Sequence, residues 1–227
     1  MRIEWTTVPV LAIIFVATLI RSAFGFGEAL VAVPLLALLM PVEVAAPLAV
    51  LLSITVAAVV IVQNVEHVQV RSAGWLIVFT VLGIPVGLLL LTTVAEAIIK
   101  AILGAVVIVF ALYCLFRRSQ IELKTDRLTW FFGFSAGVLG GAYGMNGPPL
   151  VVYGALRRWS PEQFRATLQG YFLPASLIGM VGYWLAGLWV PAVTWHYLLS
   201  LPLAIAAIFL GRTINRRLDG RRFVRYV

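Results

Sequence analysis

Charge is scarce in this chain. Only 11% of its 227 residues are Asp, Glu, Lys or Arg, against about 25% in soluble domains. Histidine occurs twice and cysteine once. The lone Cys114 rules out an intrachain disulfide, and its apolar surroundings predict a buried core position. No His/Glu or His/Cys group has metal-ligand spacing, and no Ser, His and Asp fall together, so no metal, cofactor or enzymatic activity is expected. A nucleotide-binding loop is also missing, which excludes pumping by the chain's own ATP hydrolysis. No polar stretch exceeds about a dozen residues, too few to build a separate soluble domain beside the membrane part.

What is present is apolar. Hydrophobic residues make up 62% of the chain, and the mean hydropathy is +1.03. The expected class is therefore an all-α polytopic membrane protein of one transport domain, 1–227. The net charge of +8 does not point to nucleic acid, because the basic residues sit between apolar runs rather than on an amphipathic face. They read as topology signals and contacts to anionic lipid headgroups. The amino terminus is not read as a signal peptide, since Glu4 offsets Arg2 and Arg21 spoils a small-residue cleavage pattern.

A membrane span needs roughly 20 apolar residues. Stretches at about 44–62, 73–93, 97–116, 163–187 and 191–211 reach that length. Those at about 7–24, 29–40, 128–142 and 148–156 are shorter and come as two pairs. Each pair is joined by a glycine break: Gly25-Phe26-Gly27-Glu28 in the first, Gly144-Met145-Asn146-Gly147-Pro148-Pro149 in the second. Irregular backbone in hydrocarbon leaves amides unpaired at several kcal/mol each, so it survives only when buried in protein or lining a polar cavity. Paired breaks in corresponding positions of two halves point to a transporter's binding site. Each pair is read either as a re-entrant hairpin or as a full helix plus a discontinuous one.

The Lys and Arg distribution sets an expected topology. Arg212, Arg216, Arg217, Arg221, Arg222 and Arg225 place the tail 212–227 inside. Arg157, Arg158 and Arg165 then fall inside, as do Arg117, Arg118, Lys124 and Arg127 of the link 117–127, and Arg71. Fourteen of the 17 bases thus lie inside, with the amino terminus outside the cytoplasmic membrane and the carboxyl terminus in the cytoplasm. The two broken pairs enter from opposite sides. The chain is then an inverted-topology repeat of two halves, about 7–93 and 128–211, with 97–116 as the linking helix. At an offset of 119, Ala23 meets Ala142, Gly25 meets Gly144, Val33 meets Val152 and Glu43 meets Glu162. The shared order of events carries more weight: break, short helix, acidic turn, long helix. Ser160-Pro161-Glu162-Gln163 reads as a capping box with proline in the first turn, and Pro41-Val42-Glu43 as a weaker helix start.

At these residues the chain resembles the TauE/SafE family of sulfite and organosulfur-anion exporters. Members carry a glycine-rich signature with a following proline in each half. Gly25-Phe26-Gly27-Glu28-Ala29-Leu30-Val31-Ala32-Val33-Pro34 resembles the first copy and Gly144 to Tyr153 the second. Glu28 and Ala29 stand where the first copy has glycines, Asn146 and Pro148 where the second has them, and Tyr153 where it has proline. The resemblance spans nearly the whole chain. It implies a secondary transporter exporting sulfite or a short organosulfonate.

The chemistry expected of the site follows from the breaks. A helix start exposes unpaired N–H groups and about half a positive charge. Two such starts near the midplane would hold a small anion. Gly25, Gly27, Gly144 and Gly147 would let backbone approach it. Asn146 would supply an amide where Pro148 and Pro149 supply no donor. Tyr143 either donates a hydroxyl or packs. Arg21 lies one turn before the first break at membrane depth, where a charge costs about 2.5–3.5 kcal/mol. Its obvious partner is Glu28, read either as a proton-coupling acid and competitor for Arg21, with protons as coupling ion, or as one half of a structural ion pair. Ser53 either lines the path or back-bonds its own helix, the second reading being favoured. Gln169 and Tyr171 lie only one helical turn past the inner end of 163–187, a shallow position that does not single them out. Gly83-Ile84-Pro85-Val86-Gly87, with Gly133, Gly137 and Gly141, reads as close helix packing. Helix 97–116 either joins the halves or forms a homodimer contact. An anion channel, or a transporter of a carboxylate, remains the alternative function.

Overall fold

The computed structural model describes residues 7–61, 68–116 and 122–217. Among them the chain is all-helical, without strands. Nine α-helices run in order: α1 (Thr7–Phe24), α2 (Glu28–Leu36), α3 (Val42–Ile61), α4 (Val70–Thr93), α5 (Glu96–Phe116), α6 (Thr129–Tyr143), α7 (Gly147–Leu156), α8 (Pro161–Leu185) and α9 (Pro191–Arg217). Five are long and apolar enough to cross a membrane: α1, α3, α4, α5 and α9. The 18-residue α1 thus qualifies as a span, although the sequence grouped it with the short segments. Residues 62–67 and much of the basic tail fall outside the described residues.

Local signals set the helix ends. At α8 the Ser160 hydroxyl accepts from Gln163 N–H at 3.2 Å, and the Gln163 side chain accepts from Ser160 N–H at 3.1 Å. This is the expected capping box, with Pro161 in the first turn. Gly144 closes α6 in the left-handed region (φ 64°), its N–H bonding Gly140 and that of Met145 bonding Leu139. Gly25 (φ 89°) and Gly27 (φ 98°) carry the first break in the same region, where a Cβ would be strained.

Glycines also decide which helices meet. A Cβ on Gly83 would lie 2.3 Å from the Phe134 carbonyl oxygen, and one on Gly137 would lie 2.3 Å from that of Thr80. Gly87 and Gly141 repeat the pattern one turn on. The backbones of α4 and α6 therefore touch, as small residues four apart allow, and this is the most extensive helix pairing in the molecule. Gly211 does the same for α9 against α1, where a Cβ would meet Ser22 at 2.6 Å. The α3–α8 pair forms the middle of the bundle. By contrast α5 touches its neighbours sparingly and is mostly exposed. Cys114 lies on this helix and is exposed. The expected core position is corrected: α5 is apolar all round, so an apolar neighbourhood in sequence says nothing about burial.

Candidate functional site

The first break leaves Arg21 at the end of α1 and Glu28 at the start of α2. Their side chains are only 4% and 1% exposed, and Arg21 Nη1 donates to Glu28 Oε2 at 2.6 Å. The same nitrogen reaches the Ser53 hydroxyl at 2.7 Å, and Nη2 reaches Gln169 Oε1 at 3.4 Å. The Phe172 ring lies 4.8 Å from the guanidinium carbon, within cation–π range. The guanidinium Nε has no acceptor among the described residues. Thr18 donates to the other Glu28 oxygen at 3.3 Å.

Two residues set aside by the sequence reading belong here. Ser53 accepts from Arg21, so its own proton is free to bond Ser176 Oγ, 3.0 Å away on α8. It is not bound to its own helix backbone by any contact the structure shows. Gln169 is buried, and its Nε2 donates to the Gly25 carbonyl at 2.9 Å while its oxygen serves Arg21. Gln169 sits eight residues into α8, about 12 Å along a helix, and the first break comes down to meet it. Its buried amide is spent on two partners from the other half, which nothing in its sequence neighbourhood announces.

The second break is neutral. Asn146 Nδ2 donates to the Tyr171 hydroxyl at 3.4 Å. Thr80 donates to Gly133 O at 2.9 Å, which leaves Tyr171 to donate to Thr80 at 2.6 Å. Tyr171 is therefore buried within this chain of hydrogen bonds. The chain spends one amide proton of Asn146. Tyr143 donates to the Ile99 carbonyl at 3.0 Å, toward α5, and does not line the cavity described next.

Both breaks end in one cavity of about 30 Å³, lined by Arg21, Gly27, Glu28, Ser53, Gly144, Asn146, Gly147 and Pro148, with Phe110, Met145 and Phe172 as apolar walls. Such a space holds one or two waters. Gly25 does not line it but is tied to it through Gln169. The first turn of α2, Glu28 to Leu30, faces the cavity without a side-chain cap, so its amides remain available. The opposite start, α7, begins with Pro148-Pro149 and offers fewer.

At the C-terminal end of α7 a separate cluster ties the helix down. Asp126 Oδ1 accepts from Tyr153 at 2.7 Å and Ser72 at 2.9 Å, with Arg157 at 3.4 Å. Partial burial pushes the Asp126 carboxyl up, but these bonds and the nearby arginines outweigh it and hold it below its ordinary value. Among the described residues no cluster of His, Cys, Asp and Glu could hold a metal ion.

The model of the sulfite exporter TauE/SafE family matches residues 10–227. The chain belongs to this family. Its members are membrane exporters, so the protein is a multi-pass transporter-family protein and not an enzyme. A probable sulfite/organosulfonate exporter TauE of Cupriavidus necator is 24% identical over 195 residues, covering 84% of this chain and 76% of the relative. No solved structure matches.

Proposed function

We propose that this TauE/SafE protein is a secondary transporter of the cytoplasmic membrane. It exports a small anion, sulfite or a short organosulfonate, by alternating access. The anion sits on Arg21 between the starts of α2 and α7. The observation that carries this reading is a buried arginine in the cavity where both glycine breaks end. Intramembrane ionisable residues are functional by default, and guanidinium presents a fork that suits an oxyanion. Glu28 occupies the place an anion would take, and is the proton-coupling acid. The cargo class follows the family and the sulfite/organosulfonate description of the C. necator relative.

Alternating access draws on an inverted repeat. Helices α1 to α4 correspond to α6 to α9 under this reading. The major contacts keep their pattern when the halves are exchanged: α4 on α6 mirrors α9 on α1, and α3 on α8 maps onto itself. The small cavity fits an occluded state rather than an open pore, which favours a transporter over a channel.

Flux in proteoliposomes tests the reading. Sulfite, sulfoacetate, taurine, sulfate and a carboxylate control are offered with and without a pH gradient. Saturable movement of sulfite or a sulfonate, lost in Arg21→Gln, is expected. Unsaturable movement would support a channel, and movement of the carboxylate alone would reassign the cargo.

A further inference from the structure

The coupling of Glu28 has a sign, and the charges in the cavity set it. As the structure stands, the site is neutral: Arg21 carries the positive charge and Glu28 the negative one, in contact at 2.6 Å. Space beside the pair is about 30 Å³, enough for water but not for a sulfonate with its sulfur and three oxygens. An anion that binds the Nη1 side of Arg21 therefore takes Glu28's place. Glu28 is then left as a buried carboxylate without its cation, beside a second anion. Buried charges without partners are strongly disfavoured and the group neutralises instead.

The groups facing Glu28 leave little else to compensate it. From α1 come Arg21 and the Thr18 hydroxyl. From α3 comes Ser53, across Arg21. From α8 come Gln169 and Phe172, both on Arg21, and from α5 and α7 the walls Phe110 and Pro148, with Asn146 and Met145 of the second break. Arg165 is the nearest further charge on α8. Its stem would lie 3.1 Å from a Cβ on Gly25, its head bonds Asn215, and it does not line the cavity. Thr18 suits either state of the acid, because a hydroxyl donates to a carboxylate and can turn to accept from a carboxylic acid.

Resting on the reading of Arg21 as the anion site, we propose that proton and anion bind together, the proton on Glu28 and the anion on Arg21. The empty site and the site with both are neutral, whereas the anion alone leaves a buried net charge. Proton and anion then cross in the same direction. An acid exterior draws a monoanionic sulfonate inward, so its export runs down its own concentration gradient. A dianion travelling with one proton keeps a negative charge, and an inside-negative potential pushes it out.

Methanesulfonate is the probe, because it stays a monoanion from acid to neutral pH and any titration belongs to the protein. Binding to the full-length protein in nanodiscs is measured by calorimetry in buffers of differing ionisation heat. Expected is uptake of about one proton per anion, with affinity falling about tenfold per pH unit above the pH at which free Glu28 takes up its proton. In Glu28→Gln the uptake disappears and the affinity becomes independent of pH. If that variant does not fold, the wild-type proton count decides alone. Saturable, Arg21-dependent binding with no proton uptake, or with proton release, overturns co-binding and leaves the anion site standing. Binding that survives intact in Arg21→Gln, or no binding of methanesulfonate or sulfite at any pH, overturns the site reading and the coupling with it.

Discussion

The two glycine breaks do different jobs at the same cavity. At the offset of 119 that aligns Gly25 with Gly144, Arg21 falls opposite Gly140 and Glu28 opposite Gly147. The first break thus holds an ion pair where the second holds glycines. The amide of Asn146 fills the space over Gly140, where a Cβ would come within 2.6 Å of it. Gly144 is pressed against α3, since a Cβ would meet the Ala46 carbonyl oxygen at 2.8 Å and Val50 at 2.9 Å. Gly27 has only Ile20 at 3.5 Å. One break places a charged pair at the cavity, while the other places a neutral wall with Gly144 held tightly against α3.

The most damaging test of that contrast is Arg21→Met. Removing one partner of a buried pair strands the other, which is destabilising by about 3–5 kcal/mol when it stays charged and less once it takes up a proton. Transport should be abolished and the melting temperature should drop. Arg21→Met combined with Glu28→Leu should recover most of the stability without any transport. Recovery of flux in the double variant would make the pair structural only.

Gly144→Ala should come next. It combines a left-handed backbone, at about 1–3 kcal/mol, with a clash against the α3 backbone, and should lower folded yield sharply. Gly27→Ala carries the backbone strain without the clash, so its thermal melt should fall less. Equal losses in the two would remove the steric half of the comparison. Gln169→Ala leaves the Gly25 carbonyl without its buried donor, at about 1–3 kcal/mol, and frees one side of Arg21. A KM raised roughly tenfold, with a smaller change in kcat, is expected in the flux assay.

Asp126 anchors α7 and sharpens the picture of a fixed second half. Its carboxyl is held below its ordinary value, so its contribution is complete above the ordinary carboxylate range and is lost as pH falls through the lowered value. Melts followed from neutral to strongly acidic pH should show that loss only at the acid end, and Asp126→Asn should flatten it. The smallest effect belongs to Tyr143→Phe. It removes one hydrogen bond to Ile99, worth about 0.5–1.5 kcal/mol, and should leave transport unchanged. A loss of substrate affinity there would bring Tyr143 back into the site.

Much of the first break was legible in the chain. Arg21 and Glu28 stood out because charge in an apolar run is expensive, and a separation of seven positions places both at one turn. That Gly83 and Gly87, and separately Gly137 and Gly141, mark close-packing faces was equally readable, since small residues four apart have one main use in a membrane helix; that the two faces meet each other was not. Tyr143, Ser53, Gln169 and Tyr171 were not. Each is a polar residue on a helix, and its partners lie between 25 and 148 residues away in sequence.

By itself the sequence determined the all-helical membrane class, the helix ends at Gly25, Gly144 and Ser160, and the family. These rest on local chemistry: hydrocarbon forbids open backbone, positive φ requires glycine, and a capping box satisfies its own first turn. Only the tertiary structure decided that α4 lies on α6 and α1 on α9, that α8 delivers Gln169 to Arg21 and Ser176 to Ser53, and that both breaks share one cavity. Helices that are apolar on every side carry no stripe to mark the buried face. Their rotation and depth are set by which backbones can touch and which buried polar groups must find each other.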